Sequence, residues 1–137
     1  MYVMKKILFL FMPLLNINIS SAQSESKTID PRFVGCWEGS EVEQLEKGIS
    51  KHWKTCRFSN GSCVFSFVSI DEKDNVNEAT YKGIWWIENG RFYEIINEYK
   101  EADEYEFEFV GESIRFTGTK VSGYKNTYYT FMDHKID

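Results

Sequence analysis

The chain has 137 residues, enough for one ordinary domain, and carries 21 acidic against 16 basic side chains, for a net charge of −5. An acidic surface repels phosphate backbones and anionic lipid head groups, which argues against nucleic acids and membranes as partners. Aromatic residues make up 17% of the sequence and proline occurs only twice, a composition that favours pleated, half-buried strands over disorder.

The first 22 residues have the features of a secretory signal peptide. Lys5 and Lys6 form a charged start, residues 7–19 are mostly apolar, and Ser20-Ser21-Ala22 resembles a cleavage site. An uncleaved membrane anchor is the alternative, although the apolar stretch is shorter than the roughly 20 residues that span a bilayer. We therefore expect residues 1–22 to be removed, which leaves 14 basic and 21 acidic residues in a periplasmic or secreted protein.

Short, regularly spaced segments after the signal peptide carry the signals of β-strands. We predict eight strands, over residues 34–44, 49–58, 63–70, 78–88, 91–99, 103–110, 114–120 and 124–132. Asn60-Gly61 predicts a type I′ hairpin turn, because Asn-Gly supplies the positive φ angles that this turn requires, and Asn89-Gly90 turns the chain again. No segment has the pattern of a convincing amphipathic helix.

Period-two alternation is clearest at residues 105–109, where aromatic and acidic side chains alternate and one face is expected to be buried. Eight hairpin-linked strands with one wet face close most economically into a barrel, because closure removes exposed strand edges. A two-sheet sandwich is the alternative. We expect an all-β fold, a single eight-stranded antiparallel up-and-down β-barrel over residues 33–137, preceded by a flexible segment over residues 23–32.

Gly35-Cys36-Trp37 opens the first predicted strand and matches the Gly-x-Trp motif of lipocalins. The chain also resembles small exported lipocalin-like bacterial proteins of unassigned function. These combine an early Gly-x-Trp-x-Gly with later runs such as Gly83-Ile84-Trp85-Trp86 and Gly90-Arg91-Phe92-Tyr93. The resemblance implies a lipocalin-like barrel in which Gly35 and Trp37 are structural, with Trp37 packed across the closed floor. Lipocalins usually cover this tryptophan with a late arginine, where this chain has His134 and Lys135.

The three cysteines are Cys36, Cys56 and Cys63, and in an oxidising compartment two of them are expected to pair. If the Asn60-Gly61 turn sets Cys56 opposite Phe65, Cys56 and Cys63 are diagonal neighbours on one face, farther apart than a disulfide prefers. A bridge from Cys36 to either of the others is as plausible, and buried unpaired thiols are the remaining alternative.

Neither a catalytic set nor a metal or cofactor site stands out in the sequence. The histidines, His52 and His134, lack the spacing of metal ligands, and we expect His134 to be a solvated tail residue rather than a haem ligand. A reactive cysteine would need a histidine beside it, which the sequence does not place. The acidic residues at 71–78 lack the ligand spacing of a calcium loop. In the cluster at 98–108, strand alternation puts the last carboxylates on the face that points to solvent. We therefore expect no enzyme activity, no metal and no cofactor.

Glu94 is a carboxylate within an apolar hairpin. The Asn89-Gly90 turn pairs it with Trp85, and if their face points into the barrel Glu94 needs a donor such as Arg115, or a ligand. The opposite face of the same hairpin is nearly as apolar, so the sequence leaves the orientation open. An internal structural ion pair is the alternative to a contact with a ligand.

The expected interior is rich in aromatic rings, which suit an apolar ligand. We predict an exported, non-enzymatic binding protein that holds a small apolar or amphipathic molecule in the barrel. The candidate ligand-binding residues are Phe65, Phe67, Trp85, Glu94, Tyr105, Phe107, Arg115 and Tyr129. The alternative is a protein-binding module, an enzyme inhibitor or immunity-type protein whose acidic residues at 71–78 and 98–108 steer a basic partner.

Overall fold

A computed structural model describes residues 26–96, 101–125 and 128–137, with the backbone alone at Tyr124, so the predicted signal peptide lies outside the described residues. Within these ranges a Pro31–Phe33 turn of 3₁₀-helix is followed by nine strands. They are β1 (Gly35–Val42), β2 (Ser50–Arg57), β3 (Ser62–Ile70), β4 (Val76–Glu88), β5 (Arg91–Ile96), β6 (Asp103–Val110), β7 (Ser113–Val121), β8 (Tyr124–Lys125) and β9 (Thr130–Ile136). No helical segment of the described chain has the length and apolarity needed to cross a membrane.

The strands form one closed barrel. Consecutive strands from β1 to β7 pair antiparallel, and β9 closes the sheet by pairing with both β7 and β1. Eight of the described strands, β1 to β7 and β9, thus complete an up-and-down β-barrel. The predicted all-β, eight-stranded antiparallel barrel is confirmed, and the sandwich alternative is wrong. The turns that follow β2, β4 and β6 lie at one end, and the loops that follow β1, β3 and β5 lie at the other.

The last predicted strand, 124–132, has the wrong bounds. The chain turns at Ser122 and Gly123, whose φ angles are 51° and 80°, into the two-residue strand β8, which pairs with the end of β7. The barrel strand β9 begins only at Thr130. Aromatic and β-branched residues run through the whole stretch, so composition alone did not mark the break. Thr130–Ile136 is consequently part of the barrel wall and not a tail.

The Asn60-Gly61 turn also differs from its prediction. Gly61 has a φ of 86° whereas Asn60 does not have a positive φ, and the Phe58 N–H donates to the Ser62 carbonyl oxygen over 2.9 Å. The loop is therefore a type I turn that ends in a glycine bulge, one residue longer than a type I′ turn. The extra residue shifts the register, so that Cys56 lies opposite Val64 and not opposite Phe65.

The shifted register puts Cys56 and Cys63 on opposite faces of the barrel, which corrects the predicted diagonal arrangement. Cys56 lies directly across from Cys36 and forms a disulfide with it, one of the pairings that the sequence left open. Cys63 is a buried free thiol, and burial raises its pKa to about 12. Since a thiol nucleophile reacts as the thiolate, Cys63 is poorly suited to covalent catalysis.

The segment before β1 closes one end of the barrel. Asp30 caps the Pro31–Phe33 turn by accepting a hydrogen bond from the Arg32 N–H (2.9 Å), and Thr28 pairs with Ile87 of β4. The Phe33 side chain is fully buried among the rings of Trp85, Phe92, Phe107, Phe109 and Phe116. The predicted flexible segment over residues 23–32 thus includes, in its second half, chain that packs on the barrel and seats Phe33.

Trp37 lies on this closed floor beside Phe33. Its Nε1 donates to the Phe33 carbonyl oxygen over 3.0 Å. The cations nearest its ring come from two strands: Lys135 Nζ lies 5.8 Å and the Arg57 guanidinium 6.0 Å from the ring centre. Two residues further along β1, a Cβ at Gly39 would lie 2.6 Å from the Trp53 ring, so only glycine lets that ring lie against β1.

Candidate functional site

The face of the β4–β5 hairpin that carries Glu94 points into the barrel. Glu94 pairs with Trp85 as the turn predicted, and Trp85 is 1% exposed. On the other face Ile84 is 49% exposed. The structure thus decides the orientation that the sequence left open, and it makes Glu94 an interior carboxylate.

A cavity of about 580 Å³ occupies the barrel on the side away from Phe33. Loop residues at its rim come from three connections: Leu45 and Glu46 after β1, Glu101 before β6, and the Ser122-Gly123 turn after β7. These connections share one end of the barrel, so the cavity opens at that end while the aromatic floor closes the other. The volume falls within the roughly 300–1,000 Å³ typical of small-molecule sites.

Aromatic rings form much of the cavity wall. The rings on the wall are those of Trp53, Phe65, Phe67, Tyr81, Tyr105, Tyr129 and Phe131. Neighbouring rings follow one another along the wall. Their centroids are 6.3 Å apart between Trp53 and Phe65, 5.9 Å between Phe65 and Phe67, and 6.0 Å between Phe67 and Tyr81. On the other side of Trp53, Phe131 lies 5.0 Å away, edge to face. Such a wall offers π faces and apolar area to a ligand.

A buried ion pair lies on the part of the cavity wall next to the floor. Asp133 of β9 accepts hydrogen bonds from Arg57 Nη2 (2.7 Å) and from Trp53 Nε1 (3.0 Å). The side chains of Arg57 and Asp133 are 3% and 0% exposed, and the guanidinium lies 4.8 Å from the centre of the Phe92 ring. The pair fixes the orientation of Trp53, because both oxygens of the Asp133 carboxylate are engaged.

Two buried polar groups on the cavity wall lack a hydrogen-bond partner among the described residues. They are the Thr55 hydroxyl and the Nε and Nη1 atoms of Arg57. Buried polar atoms are nearly always paired, with protein, water or a ligand. Their position on the wall provides hydrogen-bonding capacity for whatever occupies the cavity.

Glu94 and Asp103 face each other across the β5–β6 pair, and both line the cavity. Burial raises the pKa of Glu94 to about 8, although the Arg57 charge opposes the shift. Burial also raises the pKa of Asp103, against the effect of the Ser122 N–H, which donates to Asp103 Oδ1 over 2.9 Å. Burial, followed by nearby carboxylates, raises the pKa of the Tyr129 hydroxyl. The interior is therefore acidic and poorly solvated.

We expect Glu94 to make the protein less stable as the pH rises. Its pKa of about 8 in the folded chain exceeds the ordinary value of 4.5, so between these values the folded state holds a proton that the unfolded state has released. The free energy of unfolding then falls with rising pH by at most about 1.4 kcal/mol per pH unit. In urea unfolding at pH 5, 6.5 and 8, the free energy of unfolding of Glu94→Gln should increase relative to that of the wild type with each rise in pH.

The matched control for this prediction is Glu106→Gln on the outer face of β6, where the side chain is exposed. It should follow the wild-type pH dependence. A difference between Glu94→Gln and the wild type that stays constant from pH 5 to 8 would contradict the titration of Glu94 in this window.

The structure separates the predicted ligand-binding residues into three groups. Five of them lie on the cavity wall, namely Phe65, Phe67, Glu94, Tyr105 and Tyr129. Trp85 and Phe107 instead pack against Phe33 in the closed floor. Arg115 is misplaced in the prediction, since it lies on the outer face and pairs with Glu108 (3.1 Å). It therefore does not serve Glu94 as the internal donor that the sequence suggested.

The remaining candidates are the histidine His134 and the acidic loop around Asp71, and both make contacts within the barrel or its loops. His134 is exposed to solvent as expected, but it lies in the barrel strand β9 and not in a tail, and its Nδ1 is 2.8 Å from the Ser113 hydroxyl oxygen. Asp71 organises the β3–β4 loop by accepting hydrogen bonds from the backbone N–H groups of Lys73 and Asn75. Over the described residues, no three His, Cys, Asp or Glu side chains are grouped so as to hold a metal ion.

The carboxylates of β6 that alternate with its aromatics lie on the outer face. Glu104 and Glu106 pair with Arg91, and Glu108 pairs with Arg115. Glu98 of the same acidic stretch lies outside the described residues. The outer acidic strip is thus partly neutralised by two arginines.

Fold and site together define a closed eight-stranded antiparallel β-barrel with an aromatic floor at one end and an acidic, aromatic cavity open at the other. No family model, no curated protein and no solved structure matches the chain. The cavity and its side chains are therefore the basis for inferring what the protein does.

Proposed function

We propose that this protein is a non-enzymatic, lipocalin-like binding protein that holds a small amphipathic molecule in its barrel. The observation that carries the proposal is the cavity of about 580 Å³, walled by aromatic rings and open at one end. An interior meant only for stability would be filled by side chains to the density of a protein core. The unpartnered Thr55 hydroxyl and the Arg57 N–H groups add polar contacts that fix orientation, as in small-molecule sites generally.

The lipocalin-like assignment is supported by the floor. The Gly-x-Trp motif begins β1, and Trp37 packs at the closed end, where the resemblance to lipocalins implies that it should lie. Lys135 and Arg57 both lie within about 6 Å of its ring centre, which gives Trp37 the cationic cover that lipocalins supply with a late arginine.

We propose further that the protein acts in the periplasm or outside the cell. The predicted signal peptide supports this location, and the Cys36–Cys56 disulfide is a bond that persists in oxidising compartments. The alternative, a module that binds a basic protein through acidic strips, is less favoured, because the barrel is hollow and the carboxylates of β6 already pair with arginines.

We expect the mature protein to bind one molecule of N-hexyl dansylamide, a neutral fluorescent amphiphile, in this cavity. Phe67→Ala should weaken that binding by about tenfold, because an aromatic contact contributes roughly 1–1.5 kcal/mol. The measurement is a fluorescence titration, with excitation of tryptophan and emission from the dansyl group, since Trp53 lies on the cavity wall.

Ile84→Ala is the control for this titration, because Ile84 lies outside the barrel on β4. It should leave the affinity unchanged. If the wild type shows no saturable one-to-one binding, or if both variants bind like the wild type, the cavity is not a ligand site. Native mass spectrometry of protein purified from its own cell envelope would then reveal whether a second protein accompanies it instead.

A further inference from the structure

The geometry points to a ligand with a positively charged head group, held between Glu94 and Asp103 while its apolar part lies on the aromatic wall. This inference rests on the proposed function and adds to it the chemical class of the ligand. A quaternary or protonated amine joined to an aromatic or short aliphatic body has that chemistry.

The first support is the position of the two carboxylates. Glu94 and Asp103 are direct cross-strand partners of β5 and β6, and both lie on the cavity wall. When both carboxylates are ionised, they repel each other as like charges directly opposite on one face of a sheet, and burial strengthens the repulsion. A cation placed between them removes this repulsion, whereas a neutral or anionic head group does not.

The second support is the balance of charges on the cavity wall. The charged residues there are Glu46, Lys51, Arg57, Glu94, Glu101, Asp103 and Asp133, five acids against two bases. Lys51 pairs with Glu46 (3.4 Å), and Arg57 with Asp133 (2.7 Å). Glu94 and Asp103 form no salt bridge with a described residue, so their ionisation leaves the wall with uncompensated negative charge.

The third support is independent of the acids. The Thr55 side chain is 2% exposed, lies on the cavity wall, and its hydroxyl has no partner among the described residues. An occupant with a polar group would satisfy it. The rings of Tyr105 and Phe131, 5.5 Å apart, lie on the same wall and offer the electron-rich faces that attract organic cations.

Arg57 is the strongest argument for an anionic head group instead. Its Nε and Nη1 atoms are unpartnered, but its charge is already matched by Asp133, and the guanidinium lies on the Phe92 ring at the floor. Its free N–H groups therefore suit a neutral acceptor, such as a carbonyl or hydroxyl of the ligand, better than a second carboxylate. The experiment includes an anionic probe for this reason.

The charged groups that act on Glu94 are Arg57, Asp103 and Asp133, and with its pKa at about 8 Glu94 is mostly protonated at neutral pH. A bound cation favours the ionised form, so binding displaces that proton. The affinity for a permanent cation should therefore rise as the pH increases from 6 to 8, by at most about tenfold per pH unit.

The test uses three dansyl sulfonamides with the same six-carbon chain, which ends in trimethylammonium, in its neutral isostere tert-butyl, or in carboxylate. At pH 8 we expect the trimethylammonium probe to bind at least about tenfold more tightly than the tert-butyl probe, and the carboxylate probe most weakly. Glu94→Gln should abolish most of the preference for the trimethylammonium over the tert-butyl probe and flatten the pH dependence of that preference. Glu108→Gln, on the outer face, should behave like the wild type.

The outcomes separate this inference from the proposed function. If the three probes bind equally, or if the carboxylate probe binds most tightly, the cationic head group is wrong while the cavity remains a ligand site. If Glu94→Gln retains the full preference for trimethylammonium, the inference also fails. If no probe binds to the folded protein, the proposed function fails and this inference fails with it.

Discussion

Replacing Asp133 with alanine is expected to lower the free energy of unfolding by about 3–5 kcal/mol, because it leaves a buried arginine without its counter-charge. Arg57 is 3% exposed and directs Nη2 to Asp133 over 2.7 Å. The same substitution removes the acceptor for Trp53 Nε1. Urea unfolding of the two proteins, followed by far-ultraviolet circular dichroism, measures the difference directly.

A double-mutant cycle shows whether the loss comes from the pair. Arg57→Met alone leaves the buried Asp133 without its counter-charge, so both single variants should be strongly destabilised. The double variant should lose less unfolding free energy than the sum of the two single losses. Asp137→Ala, at an exposed terminal position, is the matched control and should have almost no effect. Additive losses in the double variant would mean that Arg57 and Asp133 are not energetically coupled.

Local sequence signals predicted the barrel well wherever a turn fixed the register. Asn89 and Gly90 both have positive φ angles, 51° and 70°, and the resulting tight turn put Glu94 opposite Trp85 as expected. At Asn60 the same dipeptide formed a longer loop, in which the Asn60 side chain accepts a hydrogen bond from the Ser62 N–H over 2.9 Å. The Asn-Gly dipeptide alone does not predict this side-chain hydrogen bond. One additional loop residue shifts the pairing by one position, which reverses the face on which the paired side chains are expected.

The aromatic wall was largely predictable, but the charged interior was not. Arg57 and Asp133 are 76 residues apart, and the lysines closest to them along their strands, Lys54 and Lys135, are exposed. Only closure of the barrel brings β2 and β9 to the same interior, so no local pattern identifies the pair. Arg115 is a different case, because Ile114 and Phe116 on either side of it are fully buried. Strand alternation therefore already required Arg115 to point outwards.

Replacing Phe33 with alanine is expected to destabilise the protein by about 3–5 kcal/mol, the range for removing a large aromatic side chain from a core. Phe33 is fully buried, and its ring lies 4.9 Å from that of Phe107 and 5.2 Å from that of Phe109. Alanine would leave a hole in the floor that the surrounding strands, fixed by their ladders, cannot collapse to fill. The urea midpoint should fall accordingly.

The matched control for this variant is Phe58→Ala, in a turn at the same end of the barrel, where the side chain is 46% exposed and the loss should be much smaller. A second measurement separates the floor from the ligand cavity. Phe33 does not contribute to the described cavity wall. Folded Phe33→Ala protein should therefore bind N-hexyl dansylamide with wild-type affinity. Equal destabilisation by both phenylalanine variants would contradict the role of Phe33 as the closure of the barrel. Loss of probe binding in folded Phe33→Ala protein would mean that floor and cavity are one compartment.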